Sequence, residues 1–363
     1  MIGARGLSLA GHLPQPRLVQ PRRPRTSARV TCQAGAPALQ YATAGAAVAL
    51  DAAAPPAPLS CELVQGNLAR FSSVRDRNIP TAVLVHGILG SRRNLQSFAH
   101  MIVEGFPSWQ VLLVDLRCHG ESAAAAGGPG AAGPHTVDAA ARDVLELLRE
   151  RRMFPQMLIG HSFGGKVVMS MARQFGVSSL PRPVQVWVLD TLPGEVRAGG
   201  GVDGTADHPA NLIAALQSLP TPIASRAALI DALAARGFSL PVSRWMTTNL
   251  RPHEAGGGAL TWSFDLDGIA DLYRSYESTC LWDLLEAPPQ GLRVDFVRAT
   301  RSTFRWDVGG AEGRIAGLGH RVHALEAGHW VHTENPGGLF EILAPTFGVR
   351  DLHMQKSTVP FAR

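Results

Sequence analysis

The sequence predicts an α/β fold: a doubly wound, mostly parallel sheet with a helical segment inserted after the strand that ends at Asp190. Three observations point to it. Short, nearly continuous apolar runs rich in Val and Leu recur along the chain, as strands buried on both faces of a parallel sheet require. Helical patterns lie between them. The links are short, which is the signature of alternating strands and helices wound on one sheet.

In chain order, residues 81–86 and 110–115 are the first two such runs, and 157–161, 184–189 and 292–297 repeat the type. Residues 321–326 are more polar and read as an edge strand. Between the second and third runs, residues 136–151 carry Val and Leu at helical spacing behind Thr136, whose hydroxyl can cap a helix. Residues 122–134 form an Ala/Gly/Pro stretch of low complexity, expected as a surface loop. Residues 195–288 hold helical patterns without a convincing buried strand, where a cap over the sheet's ligand edge could be inserted. The expected division is therefore a leader at 1–50, a first core segment at 59–194, a helical cap at 195–288 and a second core segment at 289–349. No internal repeat is present.

Charge separates the leader from the rest. The net charge is +5, yet residues 1–50 carry six Arg and no acid, so the remainder sums to −1. The basic balance thus reports the leader and gives no footprint for nucleic acid. Rich in Arg, Ala, Pro, Ser and Thr, and without an apolar core of signal-peptide type, the leader reads as an organellar transit peptide. Pro14, Pro16, Pro21 and Pro24 would break the amphipathic helix of a mitochondrial presequence, which favours a plastid with the mitochondrion as alternative. The segment Arg29-Val-Thr-Cys-Gln-Ala34 resembles a plastid cleavage region. No apolar run reaches the roughly 18–20 residues of a membrane-spanning helix. The four cysteines (Cys32, Cys61, Cys118, Cys280) show no CxxC spacing, which argues against a zinc site or a disulfide framework.

Chemistry concentrates at Gly160-His-Ser-Phe-Gly164, which fits GxSxG. Taken alone this is a weak signal, but an apolar strand runs into it and a helical segment follows at once. A serine on such a turn stands at the carboxyl edge of the sheet, beside a helix N-terminus that favours negative charge. Its hydroxyl needs a base. His161 adjoins it but should point away, and His86 reads as loop packing. His329 follows the last strand in a glycine turn, ahead of His332, which falls inside the next helix. The orienting acid is less clear. Asp190 ends a strand 28 residues after Ser162, about one helix plus one return strand, and is preferred. Asp307, late in the loop after residues 292–297, is the alternative. The backbone amides of Phe163 and Ile88 are the candidate oxyanion donors, with Leu89 as alternative to Ile88.

Together, His86-Gly87, Asp115-Leu-Arg-Cys-His-Gly-Glu-Ser122, Gly160-His-Ser-Phe-Gly-Gly165 and Gly328-His-Trp-Val-His332 resemble the α/β-hydrolase superfamily. More narrowly they resemble its abhydrolase domain-containing protein 11 branch of esterases, which includes plastid-targeted plant members. Trp245-Met-Thr-Thr-Asn-Leu250 and Trp262-Ser-Phe-Asp-Leu-Asp-Gly268 match pieces of that branch's cap, and the likeness runs from about residue 59 to 345. In the branch, the triad acid follows the strand that carries Asp190 here, and a serine such as Ser302 takes the later acid position. The resemblance implies hydrolysis of short acyl esters or acyl thioesters without a metal or organic cofactor. Cys118 departs from it, since other members often carry Asn, and a buried loop thiol is usually a packing residue. Trp245, Met246, Trp262 and Phe264 are candidates to line an apolar acyl pocket, or to be ordinary cap core.

The expected function is thus a serine hydrolase acting on a small acyl ester or thioester. An acyltransferase on the same residues and a non-catalytic interaction protein on this fold are the rivals.

Overall fold

The computed structural model describes residues 57–71, 79–125, 133–175, 183–196, 207–254, 256–302, 306 and 310–355. The leader at 1–50, Asp307 and much of the Ala/Gly/Pro stretch lie outside them. Seven strands form the main sheet: β1 (Cys61–Gln65), β2 (Thr81–Val85), β3 (Gln110–Val114), β4 (Met157–His161), β5 (Gln185–Leu189), β8 (Arg293–Ala299) and β9 (Arg321–Leu325). Their spatial order is β1-β3-β2-β4-β5-β8-β9. Every pairing is parallel except β1 with β3. β2 through β5 are buried at every residue, which is why their sequences are unbroken apolar runs. β9 is an edge strand and largely open, in keeping with its polar sequence.

Two elements differ from the sequence reading. β1 lies at the other edge, and its five residues alternate too weakly to announce a strand. The first four residues of the expected loop 122–134 belong to a short helix, Gly120–Ala125. Ser122 holds its start by donating its hydroxyl to the Asp115 carbonyl at 2.6 Å.

The sheet is covered on both faces. One core gathers Leu84, Val111, Leu113, Ile159, Trp187 and Val297 beneath Phe98 and Ile102 of the helix Gln96–Gly105 and Leu339, Leu343 and Phe347 of the helix Pro336–Gln355. Alternate strand residues such as Val83, Leu112, Leu158 and Val186 face the other side. The helix Val137–Glu150 starts as expected, with the Thr136 hydroxyl accepting the Ala139 amide at 3.1 Å.

Between β5 and β8 the described chain carries five helices: Pro209–Gln217, Arg226–Ala234, Leu240–Thr247, Leu266–Ser278 and Trp282–Glu286. A two-stranded ribbon, β6 (Leu250–Pro252) with β7 (Leu260–Trp262), stands apart from the main sheet. The chain leaves β2 toward β3 on one side and returns through β4 on the other. The carboxyl ends of β2 and β4 therefore flank a topological switch point, where open α/β sheets bind ligands.

Candidate active site

β4 runs directly into Ser162, and the helix Phe163–Gln174 begins at the next residue. Ser162 adopts φ 53° and ψ −117°, a conformation L-residues avoid, so neighbouring packing must hold it. The flanking glycines explain how. A Cβ on Gly160 would lie 2.1 Å from the Gly164 carbonyl oxygen, and one on Gly164 would lie 2.5 Å from the Val85 oxygen. Only glycine lets strand and helix close on this turn.

Asp190 ends β5 in a second left-handed conformation, φ 49°, and is wholly buried. Its Oδ2 accepts the Nδ1–H of His329 at 2.8 Å. Because an ionised carboxylate only accepts, the imidazole carries its proton on Nδ1 and leaves Nε2 as a base. The other oxygen, Oδ1, accepts the Trp306 indole N–H at 2.7 Å and the Ala299 amide at 3.1 Å. Three donors thus hold this carboxylate in a dry setting. Ser162 and His329 keep partial exposure. Ser302, in the loop after β8, is half-buried.

The other histidines take supporting places. His161 donates Nε2–H to the His329 carbonyl at 2.7 Å, and its ring packs against His329 and His332, both with centroids 4.8 Å away. Burial and the neighbouring imidazoles hold the His161 pKa well below its ordinary value and bring that of His332 to about 4. His86 and His119 meet edge to face at 5.0 Å. The Nε2 of His86 accepts the Leu116 amide and that of His119 accepts the Leu89 amide, each at 3.1 Å. Burial keeps both neutral, His119 with a pKa of about 3.

The His119 bond distinguishes Leu89 from Ile88 in the loop after β2. Leu89, at φ 58°, has committed its N–H to His119, and its carbonyl accepts the Asn249 side-chain amide at 3.1 Å. The Ile88 and Phe163 amides make no such bond among the described residues. Gly87 brings this loop against the serine: a Cβ there would lie 3.3 Å from the Ser162 Cβ.

Sequence reasoning missed two neighbours of the serine. Tyr276, from the helix Leu266–Ser278, shares a 2.6 Å hydrogen bond with the Thr191 hydroxyl, and its ring lies 6.0 Å from that of Phe163, the residue after the serine. Burial raises the phenol pKa, so it stays protonated. Lys166, fully buried one turn into the helix after Ser162, donates to the carbonyls of Tyr276 at 2.5 Å and Thr279 at 2.8 Å. Its ammonium stands 4.6 Å from the Tyr276 ring centroid, and burial draws its pKa down to about 7. The motif's Lys was visible in sequence, but its partners lie over a hundred residues away.

Of the four pocket candidates, Trp245 is partly exposed and meets Trp330, the residue after His329, edge to face at 5.5 Å. Trp262 stacks on Phe264 at 5.7 Å, and Phe264 reaches the His119 ring at 6.3 Å. The Trp262 indole N–H is buried without a hydrogen-bond partner. Met246 is wholly buried. Cys118, also buried, is held protonated with a pKa pushed up to about 12, mainly by desolvation.

The sequence profile described as "Alpha/beta hydrolase family" matches residues 82–342. The chain is 28% identical over 291 residues to the mouse sn-1-specific diacylglycerol lipase ABHD11, covering 77% of this chain and 82% of the relative. Over 118 residues it is 27% identical to ethanol acetyltransferase 1 of Cyberlindnera jadinii, about a third of either chain (32% and 33%). Among solved structures, a marine microorganism esterase superposes with TM-score 0.62 at 20% identity, over 79% of this chain and 98% of its own. The enol-lactonase of Burkholderia xenovorans LB400 superposes with TM-score 0.53 at 17% identity, over 80% of this chain and 96% of its own. No described helix is long and apolar enough to cross a membrane. Because the profile match spans most of the chain, residues 82–342, this chain belongs to the α/β hydrolase family.

Proposed function

We propose that this chain is a carboxylic ester or thioester hydrolase that works through Ser162, His329 and Asp190. The observation that carries the reading is the 2.8 Å bond from His329 to Asp190, at the sheet edge where Ser162 is presented on a strained turn. Family membership and the lipase and esterase names among its relatives support the ester chemistry.

In this mechanism His329 Nε2 takes the Ser162 proton as the oxygen attacks the acyl carbonyl. The Ile88 and Phe163 amides hold the developing oxyanion, and preorganised donors of that kind are typically worth about 10²–10³ in rate each. His329 then protonates the leaving alcohol or thiol, an acyl-enzyme remains, and a water activated by the same imidazole releases the acid. Asp190 steadies the imidazolium. The segment 195–288 acts as the cap, with Trp245 at the entrance and Trp262 and Phe264 along the acyl path. The unpaired Trp262 N–H suits a substrate oxygen, since a buried donor without a partner is costly until something fills it.

A second reading, transfer of the acyl group to an alcohol, is favoured by the partial match to an ethanol acetyltransferase. One experiment separates the two: purified protein is given a short-chain p-nitrophenyl ester with and without added ethanol. Free acid as the main product, abolished in Ser162→Ala, supports hydrolysis. Ethyl ester as the main product supports transfer, and turnover that survives Ser162→Ala contradicts both.

A further inference from the structure

Cys118, His135 and Asp265 meet away from Ser162. The Cys118 Sγ lies 3.3 Å from His135 Nδ1, and one ligand atom from each of the three residues lies within 4.8 Å of the others. Cys118 and Asp265 are buried, and His135 is half-buried.

Three separate pieces of chain supply the trio. Cys118 stands in the loop after β3 at φ 64°. His135 directly precedes the Thr136 cap of the helix Val137–Glu150, and Asp265 caps the helix Leu266–Ser278. The Asp265 amide donates to the Cys118 carbonyl at 3.0 Å, and Asp265 Oδ1 accepts the Gly268 amide at 3.1 Å. Gly268 keeps the space between the ligands clear. A Cβ there would stand 2.4 Å from the Cys118 sulfur and 2.9 Å from Asp265 Oδ2.

Metal–ligand bonds of about 2.0–2.3 Å in a tetrahedron set ligand atoms roughly 3.3–3.8 Å apart. The three groups stand within about 1 Å of that spacing, so small side-chain rotations suffice. We propose that Cys118, His135 and Asp265 bind one divalent zinc-class ion, with water from the half-open His135 side as fourth ligand. A thiolate, an imidazole and a carboxylate select a borderline ion such as Zn²⁺ over Mg²⁺ or Ca²⁺. Binding forms an S–metal bond and releases the thiol proton to solvent. The ion ties the loop after β3 to the segment inserted between β5 and β8. Cys118 also precedes His119, which holds the Leu89 amide, so the clip lies one residue from the loop that flanks Ser162.

The test is a Co²⁺ titration of the full chain after chelator treatment and removal of the chelator. A near-ultraviolet thiolate-to-cobalt band that saturates at one equivalent and is displaced by Zn²⁺ is expected. Zn²⁺ should also raise the melting temperature. Both effects should vanish in Cys118→Ala and in His135→Ala, and persist in Cys61→Ser. Cys118→Asn, which tolerates the left-handed backbone, is the folding control, judged by its own cooperative melt and lacking the band. The proposal is overturned if wild type gives no band, or if the band survives Cys118→Ala.

Discussion

Asp190 is held by three donors, and each can be removed separately. Asp190→Asn keeps the shape but reverses the donor pattern facing His329, so turnover should fall about 10⁴-fold while substrate binding changes little. Steady-state kinetics on a short ester measures this, and near-normal kcat contradicts the assignment. Trp306→Phe removes the 2.7 Å bond to Asp190 Oδ1 and leaves a buried carboxylate short of a donor. A loss of about 1–3 kcal/mol in urea denaturation is expected. The proximity of Asp190 and His329 was legible because one ends a strand and the other follows the last strand at the same sheet edge, 139 residues apart in sequence. Trp306 and Tyr276 were not legible. Each reaches its partner from a loop or helix whose placement no local pattern reveals.

At the scale of elements, the loop after β2 and the helix after Ser162 need outside support. His119 supplies it by accepting the Leu89 amide, which aims the loop past Ser162. His119→Phe should lower kcat by up to about 10²–10³, the worth of one oxyanion donor, with KM little changed. Equal kcat in the variant would show that the loop holds itself. The parallel strands were plain in sequence because strands covered on both faces read as apolar runs, and β1 was hidden because an edge strand half open to solvent leaves a mixed pattern. The helix Gly120–Ala125 was hidden too, since an Ala/Gly stretch resembles a loop until Ser122 and Asp115 anchor it.

Across the molecule, His86, His119, His161 and His332 are buried and neutral, with folded pKa values lowered from the ordinary 6.5. Unfolding frees them to bind protons. Their share of stability is therefore complete above pH 6.5 and is lost as pH falls from there toward the folded values. Each such imidazole costs up to about 2 kcal/mol of stability at pH 5. Urea midpoints should drop steeply between about pH 7.5 and about pH 5. Equal midpoints would mean the rings are protonated in the fold. For residues 1–50 we propose a plastid address, and a fluorescent fusion of that segment should enter plastids, whereas a cytosolic signal rules it out.

The most direct measurement is mass spectrometry of the intact protein after reaction with a fluorophosphonate, followed by peptide mapping. A single adduct on Ser162, strongly slowed in His329→Ala although that variant melts cooperatively, is the predicted result. Folded wild-type protein that takes up no phosphonate, or takes it up at another residue, would contradict the account.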